Sequence, residues 1–354
     1  MIIAAQHEIN IPINKILIIQ LGDIGDVVWM IPALRALKNA YPQAQLKILT
    51  RHPNAEILLD DPSITGSFQV RPKRKIQDSL KLLCALRREK FDLVIDLRSD
   101  DRGAVTSFLT GAPVRAALFY PGLSWRNRLF THLVNPPPDK ERILGAAEQS
   151  LKIIRGLGIK EEITIPQIIV SAEAEQKARQ IIEKEKIIAK NGWVSINPFS
   201  RWSYKEWGME KWRQLMSFIW QKYGMPAVII GSEEERERVA KYFSNAPSPV
   251  YNLAGKTLLR ETPALLKMSR LHIGVDSAAP HIAAAVGTPT ITIYGPSDWR
   301  DWAPIGENNK AIFSDMPCSP CYKKGCNGEG RSLCLENMAV KNVQVVVEKV
   351  LNSQ

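Results

Sequence analysis

The chain has 354 residues, of which 45% are hydrophobic and 23% charged, and its 47 Lys and Arg against 36 Asp and Glu leave a formal net charge of +11. That balance excludes a disordered or fibrous chain, and the length suits two domains of roughly 150 residues better than one core. The charge calls for an anionic partner, whether nucleic acid, an anionic membrane surface or a phosphorylated substrate; the aromatic interleaving and RNA-reading signatures of nucleic-acid modules are missing, so nucleic acid ranks last.

The first apolar run, Lys15 to Gln20 (KILIIQ), suits a buried parallel strand and opens into the loop Leu21-Gly22-Asp23-Ile24-Gly25-Asp26. Apolar residues at 27, 30, 31, 34 and 37 then give helical spacing from Val27 to Tyr41. Strand-like LKILT (46–50), a helix near 53–60, SFQV (67–70), a basic helix over about 76–89 and FDLVIDL (91–97) continue the alternation, which predicts a doubly wound parallel sheet. A helix from Glu141 to Leu157 precedes a polar, aperiodic segment, and the domain boundary is placed there, giving domains 1–165 and 166–354.

The pattern restarts after a charged helix (172–190). It runs through WVSIN (193–197), helix 209–223, AVIIG (227–231), helix 233–243, helix 261–269, LHIGVD (271–276), helix 279–286 and TITIYG (290–295), and ends in a helix near 340–352. Two such domains imply a central cleft lined by strand ends, where open α/β sheets bind ligands. No stretch nears the roughly 18 uninterrupted apolar residues of a membrane span. The opening segment MIIAAQHEINIPIN lacks a basic n-region and a small-residue cleavage site, so a cytoplasmic location is expected.

Four loops carry chemistry. In the first, Gly22 and Gly25 allow positive φ and close backbone approach, while Asp23 and Asp26 stand where an anion would sit in a phosphate loop, which disfavours an anionic ligand. Two readings of Asp26 stay open: cap of a helix starting at Val27, or a base that takes a proton from a hydroxyl nucleophile. The second loop, around Asp276, Ser277, Ala278 and Pro280, ends a strand and starts an alanine-rich helix whose free N–H groups suit a phosphate. There Asp276 reads equally as a bare cap, and His281 as a satisfied helical histidine.

The third loop, Asn197 to Trp207, offers the hydroxyls of Ser200 and Ser203 and the point charge of Lys205, suited to a diphosphate leaving group; Trp207 is read as closing the loop. In the fourth, Gly231 and Ser232 precede Glu233 and Glu234, which either hold a ribose hydroxyl or serve as first-turn carboxylates. No G-x-G-x-x-G follows the first strand, which argues against a nicotinamide-dependent dehydrogenase.

In order, LGDIGDVVWMIPALRALKNAYPQAQLKILTR, NPFSRWSYKEW, GSEEERE and GVDSAAPHIAAAVGTPTITIYGPSD resemble the family 9 glycosyltransferases, the heptosyltransferases of lipopolysaccharide core assembly, over about residues 15–350. The nearest likeness is to members that add later inner-core heptoses. The resemblance implies an α/β GT-B fold of two Rossmann-like domains facing a cleft, with the acceptor on the first and the nucleotide sugar on the second. It also implies an inverting single displacement from ADP-L-glycero-D-manno-heptose, with no essential metal or cofactor. Asp26 then matches the general base, with Asp23 in support, and Lys205 the lysine near the donor phosphates. Asp276, Ser277 and Ala278 match the diphosphate turn; Ser200, Gly231, Ser232, Glu234 and His281 fall on the donor side.

The acceptor implied is an anionic, lipid-linked core oligosaccharide at the inner leaflet of the inner membrane, with the protein docked peripherally on its cytoplasmic face. Arg71, Lys73, Arg74, Lys75, Arg98, Arg102, Arg126 and Arg128 offer matching charge, Arg98 and Arg102 foremost because they follow a strand end. Cys84 stands alone, while Cys318, Cys321, Cys326 and Cys334 crowd one loop. Four such thiols admit a structural zinc or iron–sulfur site, but the irregular spacing favours free thiols. A nucleotide-sugar epimerase of the same architecture and a non-catalytic nucleotide-sugar binder are the competing functions.

Overall fold

The computed structural model describes residues 1–72, 75–138 and 143–353. The chain divides into two compact units, Met1–Arg142 with Ala146–Ile169 and Ile143–Gly145 with Val170–Gln354. The return of 143–145 to the second unit has a local cause. The N–H groups of Leu144 and Gly145 both donate to the Arg300 carbonyl at 3.0 Å, and Gly145, at φ +69°, leaves room for Ile305, 2.2 Å from where its Cβ would lie.

In the first unit, strands β1 (Ile2–Ala4), β2 (Lys15–Gln20), β3 (Gln45–Arg51), β4 (Gly66–Val70), β5 (Leu93–Asp96), β6 (Val114–Leu118) and β7 (His132–Val134) form one parallel sheet, in the order β1-β7-β6-β5-β2-β3-β4. From β2 the chain winds outward through β3 and β4, then returns to β5 on β2's other side. The carboxyl ends of β2 and β5 therefore bound a topological switch point, where such sheets bind ligands. Ile16 to Ile19 in β2 are all fully buried, an uninterrupted apolar run as a strand covered on both faces requires.

The described residues of this unit form the helices α1 (Ile24–Trp29), α2 (Ile31–Ala40), α3 (Ile76–Glu89), α4 (Asp101–Thr110), α5 (Ser124–Asn127) and α6 (Glu148–Gly156). The single helix expected from Val27 is thus two, starting three residues earlier. Pro32 sits in the first turn of α2, where its missing N–H breaks no helical bond, and Met30 forms the joint. The helix expected from Glu141 begins at Glu148, with 141 and 142 outside the described residues, and 54–58 makes only a 3-10 turn.

The second unit repeats the plan. Strands β8 (Val194–Asn197), β9 (Ala227–Ile229), β10 (Val250–Asn252), β11 (Leu271–Val275), β12 (Thr290–Ile293) and β13 (Asn309–Ile312) run parallel in the order β10-β9-β8-β11-β12-β13, which puts its switch point between β8 and β11. Around them lie α7 (Ala172–Lys184), α8 (Met209–Tyr223), α9 (Arg236–Phe243), α10 (Thr262–Lys267), α11 (Ala278–Ala285), α12 (Trp299–Trp302), α13 (Leu333–Glu336) and α14 (Val340–Asn352). The charged helix expected to reach 190 stops at Lys184, and 233–235 is a 3-10 turn before α9.

The core of this unit explains its last helix. Val343, Val347, Val350 and Leu351 form a buried stripe on α14, in one apolar cluster with Trp207, Trp212 and Met216. Trp207 meets Trp212 edge to face at 5.2 Å and donates its indole N–H to the Met338 carbonyl at 3.2 Å, so it closes its loop against the carboxyl-terminal segment. Among the described residues no helix is long and apolar enough to cross a membrane.

Candidate active site

The loop after β2 is built around one close approach. Asp23 is the extended residue before α1 and Asp26 the third residue within it, and the Asp23 N–H donates to Asp26 Oδ2 at 2.6 Å. The reading of Asp26 as cap of a helix at Val27 is thereby corrected: Asp23 holds the cap position. Neither Gly22 nor Gly25 adopts positive φ. Gly22 serves proximity instead, since a Cβ there would fall 2.2 Å from Asp26 Oδ2 and 2.7 Å from Arg98 Nη1. The Gln20 side chain accepts the Gly22 N–H at 3.2 Å and Asn54 donates to its carbonyl at 3.0 Å, so the backbone is pinned.

Arg98, from the loop after β5, donates from Nη1 to Asp26 Oδ2 at 3.2 Å and stands 3.4 Å from Asp100 through Nε. Both bonds to Asp26 fall on Oδ2; Oδ1 has no partner among the described residues. Burial raises the Asp26 carboxyl above the ordinary range, with the Arg98 guanidinium the largest opposing influence. Asp23 pairs with Arg51 at 2.8 Å.

Of the cations expected to face an acceptor, Arg98 is turned onto Asp26, Arg102 pairs with Asp100 at 2.8 Å while remaining 59% exposed, and Arg126 pairs with Asp101 at 3.3 Å. Arg71, Lys75 and Arg128 are exposed; Lys73 and Arg74 lie outside the described residues. Asp96, which no sequence motif marks, ends β5 fully buried beneath this loop, and burial pushes its carboxyl up to about 7.

In the second unit the loops after β8 and β11 are tied together across their switch point. Lys205, on the 3-10 turn Ser203–Lys205, binds Asp276 Oδ2 at 2.6 Å. Ser277 donates to Asn197 Oδ1 at 2.7 Å, and Ser200 Oγ reaches the Asp276 carbonyl at 3.4 Å. Asp276, expected in a phosphate turn, is therefore held by Lys205 and does not act as a bare cap; Ser277 is the residue before α11. Ala278 and Ala279 open α11 with N–H groups that have no partner within the helix, and Pro280 has none to offer. His281 is buried, and burial pushes its imidazole down to about 4, so it is neutral near pH 7.

Gly231 to Glu235 repeats the geometry of Gly22 to Asp26. The Ser232 N–H donates to Glu235 Oε2 at 2.8 Å, and a Cβ on Gly231 would meet that oxygen at 2.3 Å. Burial raises the Glu235 carboxyl, with the Ser232 N–H and Arg238 opposing. The acid that organises this turn is thus Glu235. Glu234 is exposed, its carboxyl lowered by local hydrogen bonds, and Glu233 pairs with Arg236 at 2.8 Å.

The cysteines are all free. Burial pushes the Cys334 thiol up to about 11, with the thiols of Cys321, Cys326 and Cys318 adding to the effect, and Cys326 Sγ accepts the Leu333 N–H at 3.5 Å. Among the described residues no three His, Cys, Asp or Glu side chains group in a way that holds a metal ion. A groove of about 340 Å³ on α8, bounded by Glu210, Arg213, Phe218 and Gln344, includes none of these loop residues.

A family model described as glycosyltransferase family 9 (heptosyltransferase) matches residues 79–331. Lipopolysaccharide heptosyltransferase 3 of Escherichia coli is 29% identical over 294 residues, covering 80% of this chain and 83% of that protein. Among solved structures, the glycosyl transferase family 9 protein of Veillonella parvula has a TM-score of 0.81 at 19% identity, over 96% of this chain and 98% of that one. The ADP-heptose lps heptosyltransferase II of Escherichia coli gives 0.78 at 20% identity, over 96% and 99%. Both share the fold, two parallel α/β units of the GT-B class.

Proposed function

The chain belongs to glycosyltransferase family 9, and on that premise we propose that it is an inverting heptosyltransferase that moves a heptose from ADP-L-glycero-D-manno-heptose to the inner core of lipopolysaccharide, with Asp26 as general base. The acceptor hydroxyl attacks the anomeric carbon, its proton passes to Asp26, and the bond to the diphosphate breaks to release ADP. The observation that carries the reading is the state of Asp26: one carboxylate oxygen is tied by Asp23 and Arg98, the other has no partner among the described residues, and burial raises its basicity. Such a group is oriented by one oxygen and reactive at the other.

On the donor side, Lys205 and the opening N–H groups of α11 suit the charge that grows on the departing diphosphate. Ser200, Gly231, Ser232, Glu234, Asp276, Ser277 and His281 complete the donor-side set. Lys205 would exchange its Asp276 partner in part for phosphate oxygens, so Asp276 keeps the ammonium in place before the donor arrives. Asp23 supports the base. Arg102, with the exposed Arg71, Lys75 and Arg128, supplies the charge that an anionic core acceptor and an anionic leaflet require, which fits peripheral work at the cytoplasmic face.

The test is Asp26→Asn. The rate of ADP release in the presence of acceptor should fall by roughly 10²–10⁴, the range for loss of a general base, while ADP binding by calorimetry is unchanged. A variant that keeps more than about a tenth of the parent rate would remove Asp26 from that role. Mass analysis of core lipopolysaccharide from a deletion strain identifies the missing sugar and its position.

A further inference from the structure

We infer that Asp96 is a positioning residue of the reaction, clamping a strained turn that delivers Arg98 to Asp26; the inference rests on Asp26 being the base. Asp96 is the last residue of β5, in register with Ile19 of β2, and is fully buried, with no salt-bridge partner among the described residues. Its Oδ1 accepts two backbone N–H groups, from Arg98 at 3.2 Å and Ser99 at 3.1 Å. Its Oδ2 has no hydrogen-bond partner among the described residues. Gly103 of α4 packs directly on the carboxylate: a Cβ there would lie 2.3 Å from Oδ2.

A buried carboxylate with an idle oxygen is a costly way to close a turn. What it holds is also costly. Ser99 is buried at φ +54°, in the left-handed region that non-glycine residues enter at a penalty of about 1–3 kcal/mol unless their surroundings hold them there. The turn reverses the chain between β5 and Asp100, the cap of α4, whose Oδ1 accepts the Gly103 N–H at 2.9 Å. Arg98 lies inside this turn and is fixed at both ends, its backbone N–H by Asp96 and its guanidinium by Asp100 and Asp26.

The consequence for chemistry follows from the groups around Asp26. Burial and Asp23 favour its neutral form, while Arg98, Arg51 and the Asp23 N–H favour the anion. Only the anion takes a proton from the acceptor. Displacing Arg98 leaves burial less opposed, so more of the base is protonated at a given pH. Around Asp96 itself the charged neighbours are Asp100 and Arg126.

The experiment is the pH profile of kcat/KM for the full-length protein, with ADP-heptose as donor and core lipopolysaccharide extracted from the deletion strain as acceptor. Asp96→Ala, which removes the oxygen that accepts the Arg98 and Ser99 N–H groups, is expected to move the acid limb upward by about one pH unit, so that kcat/KM below the limb drops about tenfold while the plateau changes far less. Arg98→Ala should move the limb the same way, and the double variant no further than Arg98→Ala alone, because Asp96 acts through Arg98.

A uniform drop with the limb in place, or shifts that add in the double variant, would overturn the inference. An acid limb that persists in Asp26→Asn refutes Asp26 as base and takes the inference with it, a result distinct from either of those. If Asp96→Ala folds poorly, Ser99→Gly is added, since glycine accepts the positive φ without strain. The limb should stay displaced in that background, and its return to the parent position would again overturn the assignment.

Discussion

Replacing Asp96 by Asn should flatten the pH dependence of stability, by an amount that follows from its burial. The folded carboxyl is raised to about 7, against about 3.8 in an unfolded chain. Between those values the folded state binds the proton that the unfolded state has lost, so stability falls as pH rises through the window and the full penalty is present above about pH 7. The gap of roughly 3 units is worth about 4 kcal/mol in all, and about 2–3 kcal/mol of it falls between pH 5 and pH 8.

The Asn variant keeps the side-chain oxygen that accepts the Arg98 and Ser99 N–H groups, but gains buried amide hydrogens without acceptors at a cost of about 1–3 kcal/mol. That cost is independent of pH and drops out of the comparison. Asp26, also raised by burial, slopes the same way in both proteins and drops out as well. Urea unfolding at pH 5, 6, 7 and 8 should therefore show the parent losing about 2–3 kcal/mol more than Asp96→Asn across the range. Parallel curves would refute the reasoning.

Gly22→Ala should retain the fold, because the atoms its Cβ meets are ends of the Asp26 and Arg98 side chains, yet transfer should fall about tenfold or more as those groups are pushed aside; wild-type turnover would contradict the geometry. Lys205→Met leaves the largely buried Asp276 carboxylate without its cation and should cost on the order of 3 kcal/mol, read by thermal melting. Adding Asp276→Leu should restore much of that stability without restoring the rise in Tm on adding ADP; recovery of the ADP effect would separate Lys205 from the donor. Prolonged treatment with EDTA should leave the transfer rate unchanged, and a rate restored by one divalent metal would put that ion in the reaction.

The strand–loop–helix order of both units was legible because buried parallel strands such as Ile16 to Ile19 form unbroken apolar runs. The three-residue β9 was legible inside the apolar run AVIIG, but β1, β7 and β10 were not, nor were β6 and β13, since a short segment without such a run owes its strand character to distant partners, as Ile2 does to His132. The loop at 22–26 is legible, but apolar spacing puts its helix start at Val27, whereas the Asp-x-x-Asp pattern of residues 23 and 26 marks the start at Ile24. The same signal, Ser-x-x-Glu at 232 and 235, would have marked Glu235 as the organising acid. Asp96 left no sequence signal: at the end of FDLVIDL it reads as a strand giving way to solvent, and only the packing of Gly103 over it shows a charge kept in the core.

The turn at 231–235 uses the same parts as the turn at 22–26, a glycine overlain by an acid that accepts the N–H three residues back, with an arginine opposing the effect of burial on that acid. Yet it follows β9, whose neighbours are β8 and β10, whereas the other follows β2 at the switch point beside β5. A grafting experiment that carried only the five residues into another Rossmann-like scaffold would thus transplant an oriented carboxylate without an activity. The transferable unit is the pair of adjacent strand ends, with the second strand bringing the arginine and the buried acid that holds it.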